Sequence, residues 1–387
     1  MRFHPGTLRL QYAVAILSLL PAAFTAQVTT GVSDPAATTA IARFDSMISA
    51  DVDQDGVGGV TAAVVRDTVI LWAKGFGYAN RDTRAPADVA TIYRTGSISK
   101  TFTAVLLMQL VDRGVVRLDD AVVDHLPEFA ELDAAQDQVR SITLRQLASH
   151  TGGLIREPQL EGAAAGPIET WESKILESIP NTGLPSPPGS EYSYSNIGYG
   201  ILGLTLSRAA GQPFIELIEG LIFEPLMMGS STFVIGDNLA GRLSVGYANR
   251  RDGTIDTAVP LREHDGRGYK VPNGGIYSTI GDLRLFIASL QGVSDPEIIT
   301  AGSRREMLSI QTPEASTSGY GLGLSIRTSD SGRRFFGHGG SVAGYNAYMV
   351  FEPQSGWGVV LLRNYNSGAT NLGRAAVELL EELVNER

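Results

Sequence analysis

Residues 96–114 read GSISKTFTAVLLMQLVDRG, which places a serine and a lysine at the front of an apolar segment. The apolar residues that follow recur three and four positions apart, a period that predicts one face of a buried helix, and Gly114 is a helix stop signal. Ser97 and Lys100 are three residues apart, so they should share one face of this helix and lie within contact range. The apolar positions are Phe102, Val105, Leu106, Leu110 and Val111.

The Ser97 and Lys100 pair has the residue types of a nucleophile and its base. A serine hydroxyl is a poor nucleophile at neutral pH, but a desolvated lysine can accept its proton, and a helix N-terminus favours the developing negative charge. The spacing alone also fits a surface serine beside a lysine whose stem covers apolar surface. Lysine is scarce, with 4 against 27 arginines, and this one precedes an apolar helix face, where a solvated charge is least expected.

A second candidate motif is Tyr194-Ser195-Asn196, which follows a Pro- and Gly-containing loop at 185–189 and precedes a predicted helix. A tyrosine can relay a proton, and an asparagine amide can both donate to and accept from an amide substrate. The same residues also fit a structural role, with Asn196 as a helix N-cap and Tyr194 as a core aromatic.

A third candidate motif is His338-Gly339-Gly340, immediately before Ser341 at the edge of a predicted strand. Paired glycines let a backbone approach a substrate closely, and a free N–H here, at Ser341, could complete an oxyanion hole with the N–H of Ser97. The alternative is a histidine beside glycines at a tight strand entry.

The rest of the chain predicts strands near both ends and helices between them. Two β-branched runs, 59–66 and 69–78, are separated by two residues, which predicts a hairpin. This order assembles one sheet from distant segments and leaves a cleft between the sheet and a helical lobe. Further predicted helices are 143–149, 197–209, 214–223, one opened by Thr279, and 371–386; further predicted strands are 322–327, 345–351 and 358–363.

The three motifs in this order resemble the serine β-lactamase and penicillin-binding protein superfamily. They look most like its class C β-lactamase branch, with D-alanyl-D-alanine carboxypeptidases, D-aminopeptidases and lactamase-like esterases. The resemblance implies an α/β (α+β) β-lactamase/transpeptidase-like fold: an antiparallel sheet flanked by terminal helices, with an inserted helical lobe. The hydrolase domain would span 27–387, with a sheet lobe at about 40–95 and 270–387 and a helical lobe at about 97–270. Similar stretches are TLRQLASHTGGL (143–154), YSNIGYGIL (194–202), GYGLGL (319–324) and GHGGSVAGY (337–345).

The resemblance also assigns roles. It makes Ser97 the nucleophile, Lys100 its base and Tyr194 the proton relay to the leaving group. Asn196, His338, Gly339 and Gly340 would contact the substrate, and the N–H groups of Ser97 and Ser341 would form the oxyanion hole. No metal or cofactor is implied.

Relatives often have a lysine at position 338 and a hydroxyl residue at 339, so carboxylate recognition should be weaker here. Arg363 and Asn364 are candidate substitutes, although residues at a strand end more commonly face solvent. The expected activity is an acyl-serine hydrolase acting on a β-lactam, a D-amino-acid peptide or a small ester, with the departure at 338–339 favouring the last two.

Other functions fit the sequence less well. A non-catalytic penicillin- or wall-peptide-binding module of the same fold would not need Lys100, and an α/β-hydrolase would need a G-x-S-x-G elbow, which is absent. Asp51, Asp53 and Asp55 match half of a calcium loop, but Ala62 stands where its glutamate should be, which favours a solvated turn. His150 is interpreted as structural.

Composition limits the partners and suggests the location. Acidic residues number 41 against 31 Lys plus Arg, for a net charge of −10, so nucleic acid is an unfavourable partner and a small molecule or peptide is expected. Cysteine is absent, which removes thiolate chemistry. Residues 1–26 predict a signal peptide whose apolar stretch, 12–24, is shorter than the roughly 20 residues a bilayer needs. We therefore expect an exported protein, periplasmic or extracellular, with no membrane span after signal removal; its oligomeric state stays open.

Overall fold

The computed structural model describes residues 27–29, 35–313 and 317–385. The predicted signal peptide, 1–26, lies outside these residues. Within them, no helix combines the length and the apolar character that a membrane crossing requires.

Eight strands form an antiparallel sheet in the order β1-β3-β2-β13-β12-β11-β10-β9, with β4 beside β3. Early and late segments of the chain meet where β2 pairs with β13. Two further pairs, β5 with β8 and β6 with β7, lie outside this sheet. The strands are β1 Gln27–Thr29, β2 Gly59–Arg66, β3 Val69–Asn80, β4 Ala85–Pro86, β5 Tyr93–Arg94, β6 Ala248–Asn249, β7 Ile255–Asp256, β8 Tyr277–Ser278, β9 Gly319–Tyr320, β10 Ser325–Thr328, β11 Arg334–Val342, β12 Tyr345–Phe351 and β13 Trp357–Arg363.

Most of the helices lie between the two strand-forming parts of the chain. A single turn of 3₁₀ helix, Gly96–Ile98, runs directly into α2 and carries Ser97. The helices are α1 Pro35–Asp55, α2 Ser99–Asp112, α3 Val122–His125, α4 Gln136–Ser141, α5 Leu144–Ala148, α6 Trp171–Ser178, α7 Asn196–Ala210, α8 Phe214–Ile218, α9 Asp237–Ala240, α10 Ala258–Arg262, α11 Val271–Gly274, α12 Ile280–Gln291, α13 Ala301–Met307 and α14 Leu372–Asn385.

The sheet separates two hydrophobic cores. Alternate residues of a strand point to opposite faces, and in β13 Val359 and Leu361 join the core with α1 and α14, whereas Val360 and Leu362 join the core with α2. Because both faces are covered, every residue of β13 is buried. The sheet, its terminal helices and the inserted helices confirm the fold class expected from the sequence.

The calcium-like stretch is not a solvated turn. Residues 51–55 form the end of α1, and the Asp51 side chain is buried. Asp51 accepts hydrogen bonds from Arg363 and from the backbone N–H groups of Ala369 and Thr370, at 2.8 and 3.1 Å for the last two. These bonds hold the pKa of Asp51 below its usual value, although burial opposes them. The sequence interpretation was wrong because the partners lie more than 300 residues away.

Arg363 and Asn364 do not serve as carboxylate contacts in this structure. Arg363 is buried against Asp51, and the Asn364 amide donates to the carbonyls of Tyr78, Ala79 and Val245 at 2.8–3.1 Å. Both side chains therefore tie the end of β13 to its neighbours. The candidate substitutes for the missing lysine were wrong.

The predicted position of the His338-Gly339-Gly340 motif at the edge of a strand is also wrong, because the whole motif and Ser341 lie inside β11. His338 lies near the middle of β11, paired with Met349 of β12, and not at a strand entry. The glycines at 337, 339 and 340 lower the strand propensity that the sequence pattern could show. The pairing with β12 supplies the stability that the local sequence does not.

Candidate active site

Ser97 lies where the sheet meets the helices. Gly96 precedes it with φ +54°, and a Cβ atom added there would stand 2.9 Å from the backbone nitrogen of Ser341 on β11. A Cβ at Gly340 would stand 1.9 Å from the Thr95 carbonyl oxygen and 3.1 Å from the Ser97 nitrogen. Glycine at 96 and 340 therefore lets β11 run against the turn that carries Ser97.

Lys100 is fully buried one helical turn after Ser97. Its Nζ lies 3.1 Å from Ser97 Oγ, 2.7 Å from Asn196 Oδ1 and 3.1 Å from the Asn273 carbonyl oxygen. Burial, and then the nearby Arg267 guanidinium, hold the pKa of Lys100 well below its usual value. A surface lysine with a snorkelling stem is ruled out.

An ammonium can donate to all three of these oxygens, and the deprotonated amine keeps the same contacts with two N–H groups and one lone pair. The amide and carbonyl oxygens of Asn196 and Asn273 can only accept, so they take the two N–H groups of the amine. The remaining lone pair is then available to the Ser97 hydroxyl. This is the arrangement that a base for Ser97 requires.

Tyr194 contacts both members of the pair. The Lys100 Nζ lies 4.9 Å from the centre of the Tyr194 ring. Burial raises the pKa of the Tyr194 phenol to about 12, while a hydrogen bond with Ser97 opposes the shift. The phenol is therefore protonated at neutral pH and can donate its proton beside Ser97.

Asn196 is the first residue of α7, and the N-cap is its neighbour Ser195, whose Oγ accepts from the Gly198 N–H at 2.9 Å. The Asn196 amide is thereby left for the site: Oδ1 accepts from Lys100, and Nδ2 donates to Glu157 Oε1 at 2.6 Å. The alternative structural role, in which Asn196 is only an N-cap, is wrong.

His338 lies across from Lys100 and is buried. Its Nδ1 is 2.6 Å from the Gly339 carbonyl oxygen, which can only accept, so Nδ1 carries the proton and Nε2 accepts from the Tyr320 hydroxyl at 2.9 Å. Burial, and then Lys100, lower the pKa of His338 to about 3. His338 is therefore neutral and does not replace a lysine as a cation.

His150 supports the site from behind. It is buried, its Nδ1 accepts from the Ser195 N–H at 3.0 Å, and its ring lies 4.2 Å from that of Tyr194 and 4.9 Å from that of Tyr320. Burial holds the pKa of His150 well below its usual value. These contacts fix the positions of the tyrosines.

A cleft of about 660 Å³ opens beside Ser97. On one side Ser97, Arg156 and Tyr194 line the cleft, and Lys100, Glu157 and Asn196 lie behind them; we call these six residues the helical wall. The other is the strand wall, defined as residues 338–341 with the loop 366–373. Among the cleft-lining residues of the described chain, Arg156 alone is charged at neutral pH.

Sequence reasoning missed three groups of the helical wall and its support: Arg156, Glu157 and Asn273. Arg156 and Glu157 follow the TGGL segment in a loop with no motif of their own, and Asn273 acts through its backbone. Nothing in their spacing separates them from surface residues. Within the described ranges, no group of three His, Asp or Glu side chains is placed to hold a metal ion.

The family model described as Beta-lactamase matches residues 44–383 of the chain. Protein flp of Staphylococcus aureus (strain MW2) is 23% identical over 325 residues, covering 84% of this chain and 63% of that protein. Beta-lactamase-like protein 2 of Dictyostelium discoideum is 29% identical over 284 residues, covering 72% and 50%. The chain thus spans one half to just under two thirds of these relatives.

Two solved structures are similar over most of the chain. The octameric penicillin-binding protein homologue from Pyrococcus abyssi has a TM-score of 0.75 and 26% identity, covering 89% of this chain and 77% of that one. A D-stereospecific amidohydrolase from Streptomyces sp. has a TM-score of 0.71 and 24% identity, covering 88% and 98%. The second likeness concerns the fold alone.

Proposed function

Because the chain belongs to the Beta-lactamase family, we propose that it is a serine hydrolase that forms an acyl-Ser97 intermediate on an ester or amide substrate. The observation that carries the proposal is the 3.1 Å separation between Lys100 Nζ and Ser97 Oγ, at a buried site that holds the pKa of the amine well below its usual value. A module that binds its ligand without forming a bond to Ser97 has no use for such a base.

The residues support a balanced acylation and deacylation. Ser97 Oγ attacks the carbonyl carbon and its proton passes to Lys100, while the N–H groups of Ser97 and Ser341 stabilise the oxyanion. Tyr194 gives its proton to the departing amine or alkoxide and regains one from Lys100 through the hydroxyl network. Water then attacks the acyl carbonyl, releases the acid and restores the Ser97 hydroxyl.

The strand wall favours substrates without a carboxylate next to the scissile bond, such as small esters and D-amino-acid amides, over β-lactams and D-alanyl termini. A lysine at 338 would attract the carboxylate of a β-lactam, whereas a neutral histidine with both nitrogens engaged cannot. Asn196 and Gly339–Gly340 would contact the scissile amide or ester.

We further propose that residues 27–387 form the exported hydrolase domain and act in a periplasm or outside the cell. The support is the sequence pattern of residues 1–26: two arginines, an apolar stretch and small residues. Recovery of the expressed chain from the periplasm or medium with a new N-terminus near residue 27 would test this.

The test of activity compares three chromogenic substrates on purified 27–387 and on Ser97→Ala: a p-nitrophenyl ester, a D-alanyl p-nitroanilide and a cephalosporin. We expect turnover of the ester or the D-amide, a slower reaction with the cephalosporin, and a loss of at least about 10³-fold in Ser97→Ala.

Two results would contradict the proposal. Undiminished turnover in Ser97→Ala would exclude the acyl-Ser97 intermediate. A stable penicillin adduct, with no hydrolysis of any of the three substrates, would favour the non-catalytic binding module.

A further inference from the structure

Glu157 is the acidic member of the helical wall, and four side chains converge on it. Its Oε1 accepts from Asn196 Nδ2 at 2.6 Å, and its Oε2 accepts from the Tyr269 hydroxyl and lies 3.1 Å from Lys270 Nζ. Arg156 Nε lies 3.8 Å from Oε1. A carboxylate can only accept, so it fixes which end of the Asn196 amide faces it.

The orientation of the Asn196 amide controls what Lys100 can do. With Nδ2 towards Glu157, Oδ1 faces Lys100 Nζ at 2.7 Å and takes one N–H of the neutral amine. In the opposite orientation two donors would face each other. The amine would then turn its lone pair towards Asn196 and away from Ser97 Oγ.

We propose that Glu157 is a positioning residue, which holds the Asn196 amide so that Lys100, when it is deprotonated, directs its lone pair at Ser97. This inference rests on the proposed function. It deepens that function by assigning the base geometry to a carboxylate that touches neither Ser97 nor Lys100.

The charges around Lys100 add a second, separable effect. Arg267, Lys270 and Arg156 lower the pKa of Lys100, and Glu157 raises it. The other titratable groups near Lys100 are neutral: His150 and His338, and the rings of Tyr194 and Tyr199 at 4.9 and 5.7 Å. Loss of the Glu157 charge should therefore move the lysine titration to lower pH, whatever happens to the amide.

Two substitutions separate the two effects. Glu157→Gln removes the charge but keeps an oxygen that can accept from Asn196, and Glu157→Met removes both at similar size. Glu161→Gln is the matched control, because Glu161 is exposed in the same loop. Thermal unfolding curves check that each variant is folded at the assay temperature. If Glu157→Met is unfolded at that temperature, Glu157→Ala replaces it, because alanine leaves room for water beside Tyr269 and Lys270.

The readout is the rate at which a fluorophosphonate probe labels Ser97, followed by mass spectrometry from pH 5 to 10, with Ser97→Ala as the blank. On the high-pH plateau we expect Glu157→Met to lose about 10- to 100-fold, as for misplaced catalytic groups. Glu157→Gln should stay within about threefold of wild type. In both, the acid limb should move to lower pH, and Glu161→Gln should match wild type.

Equal plateau rates in Glu157→Met and Glu157→Gln would overturn the positioning role and leave the proposed function intact. A wild-type chain that is not labelled at Ser97 would overturn the proposed function, and the role of Glu157 with it.

Discussion

The two walls of the cleft each bury a basic side chain beside Ser97, and the structure makes only one of them a base. Burial lowers the pKa of both Lys100 and His338. His338 uses its one N–H on the Gly339 carbonyl and its one lone pair on the Tyr320 hydroxyl. Once deprotonated, Lys100 donates its two N–H groups to the oxygens of Asn196 and Asn273, which leaves its lone pair for the Ser97 hydroxyl 3.1 Å away. A low pKa is therefore not sufficient to make a buried basic side chain a base for Ser97. Its nitrogen lone pair must also be free of other hydrogen bonds and point at the Ser97 hydroxyl.

The largest expected effect is the loss of the base on the helical wall. Lys100→Met should lower kcat/KM for the preferred substrate by about 10³-fold, because general-base assistance contributes about 10²–10⁴-fold. His338→Gln is the matched substitution on the strand wall, and we expect it to retain kcat/KM within about tenfold. If Lys100→Met kept a tenth of the wild-type kcat/KM, Lys100 would contribute no more to catalysis than His338, and the proposed difference between the two walls would be wrong.

His338 should instead affect how the free energy of unfolding changes as the pH falls. Its pKa is about 3 in the folded chain and near 6.5 when unfolded, so the unfolded chain takes up a proton that the folded chain excludes. Above pH 6.5 His338 therefore does not change the free energy of unfolding. Below pH 6.5 that free energy falls, and the contribution of His338 to the loss is about 2 kcal/mol at pH 5. Urea unfolding at pH 7 and pH 5 measures the loss.

The variant His338→Gln provides the comparison for that measurement. It should lose less stability between pH 7 and pH 5 than wild type, because glutamine does not titrate. The kcat/KM profiles of wild type and of His338→Gln should also have the same shape near pH 6.5. An identical pH dependence of unfolding in the two chains would mean that His338 is already protonated or exposed in the folded state.

The parts of the fold that depend on local pattern could be predicted. The hairpin of β2 and β3, the helix after Ser97, and the helix opened by Thr279, whose side chain accepts from the Asp282 N–H, follow from spacing and capping residues. The convergence of Ser97, Lys100, Tyr194 and Asn196 followed from the resemblance. Periodicity alone could not have placed Asn196 against Lys100, 96 positions earlier.

The parts that depend on distant partners could not be predicted. Arg363 ends β13, but the sequence did not show that it is buried, because its partner, Asp51, is 312 positions away. Glu157 has no motif, yet it lies 2.6 Å from Asn196 because the loop after TGGL returns to the start of α7. Both are charged residues whose role is set by what buries them, and burial is a property of the assembled chain.

The smallest expected effect concerns substrate charge. Arg156 lies 5.0 Å from the centre of the Tyr194 ring, its side chain is 67% exposed, and the described lining of the cleft offers no other cation at neutral pH. It could pair with an anionic group near the scissile bond. Arg156→Gln should lower the preference for a carboxylate-bearing substrate over its carboxamide by about two- to fivefold, because exposed ion pairs contribute about 0.2–1 kcal/mol.

The matched control is Arg156→Lys, which keeps the charge and should retain most of the preference. Arg156 also lowers the pKa of Lys100, so its loss should move the acid limb of kcat/KM to higher pH, opposite to the shift in Glu157→Gln. This shift acts on both substrates alike and leaves their ratio unchanged above the limb. If Arg156→Gln leaves the ratio of the two kcat/KM values unchanged, Arg156 affects the pKa of Lys100 but does not recognise the substrate. Any selection for substrate charge would then have to come from the neutral strand wall.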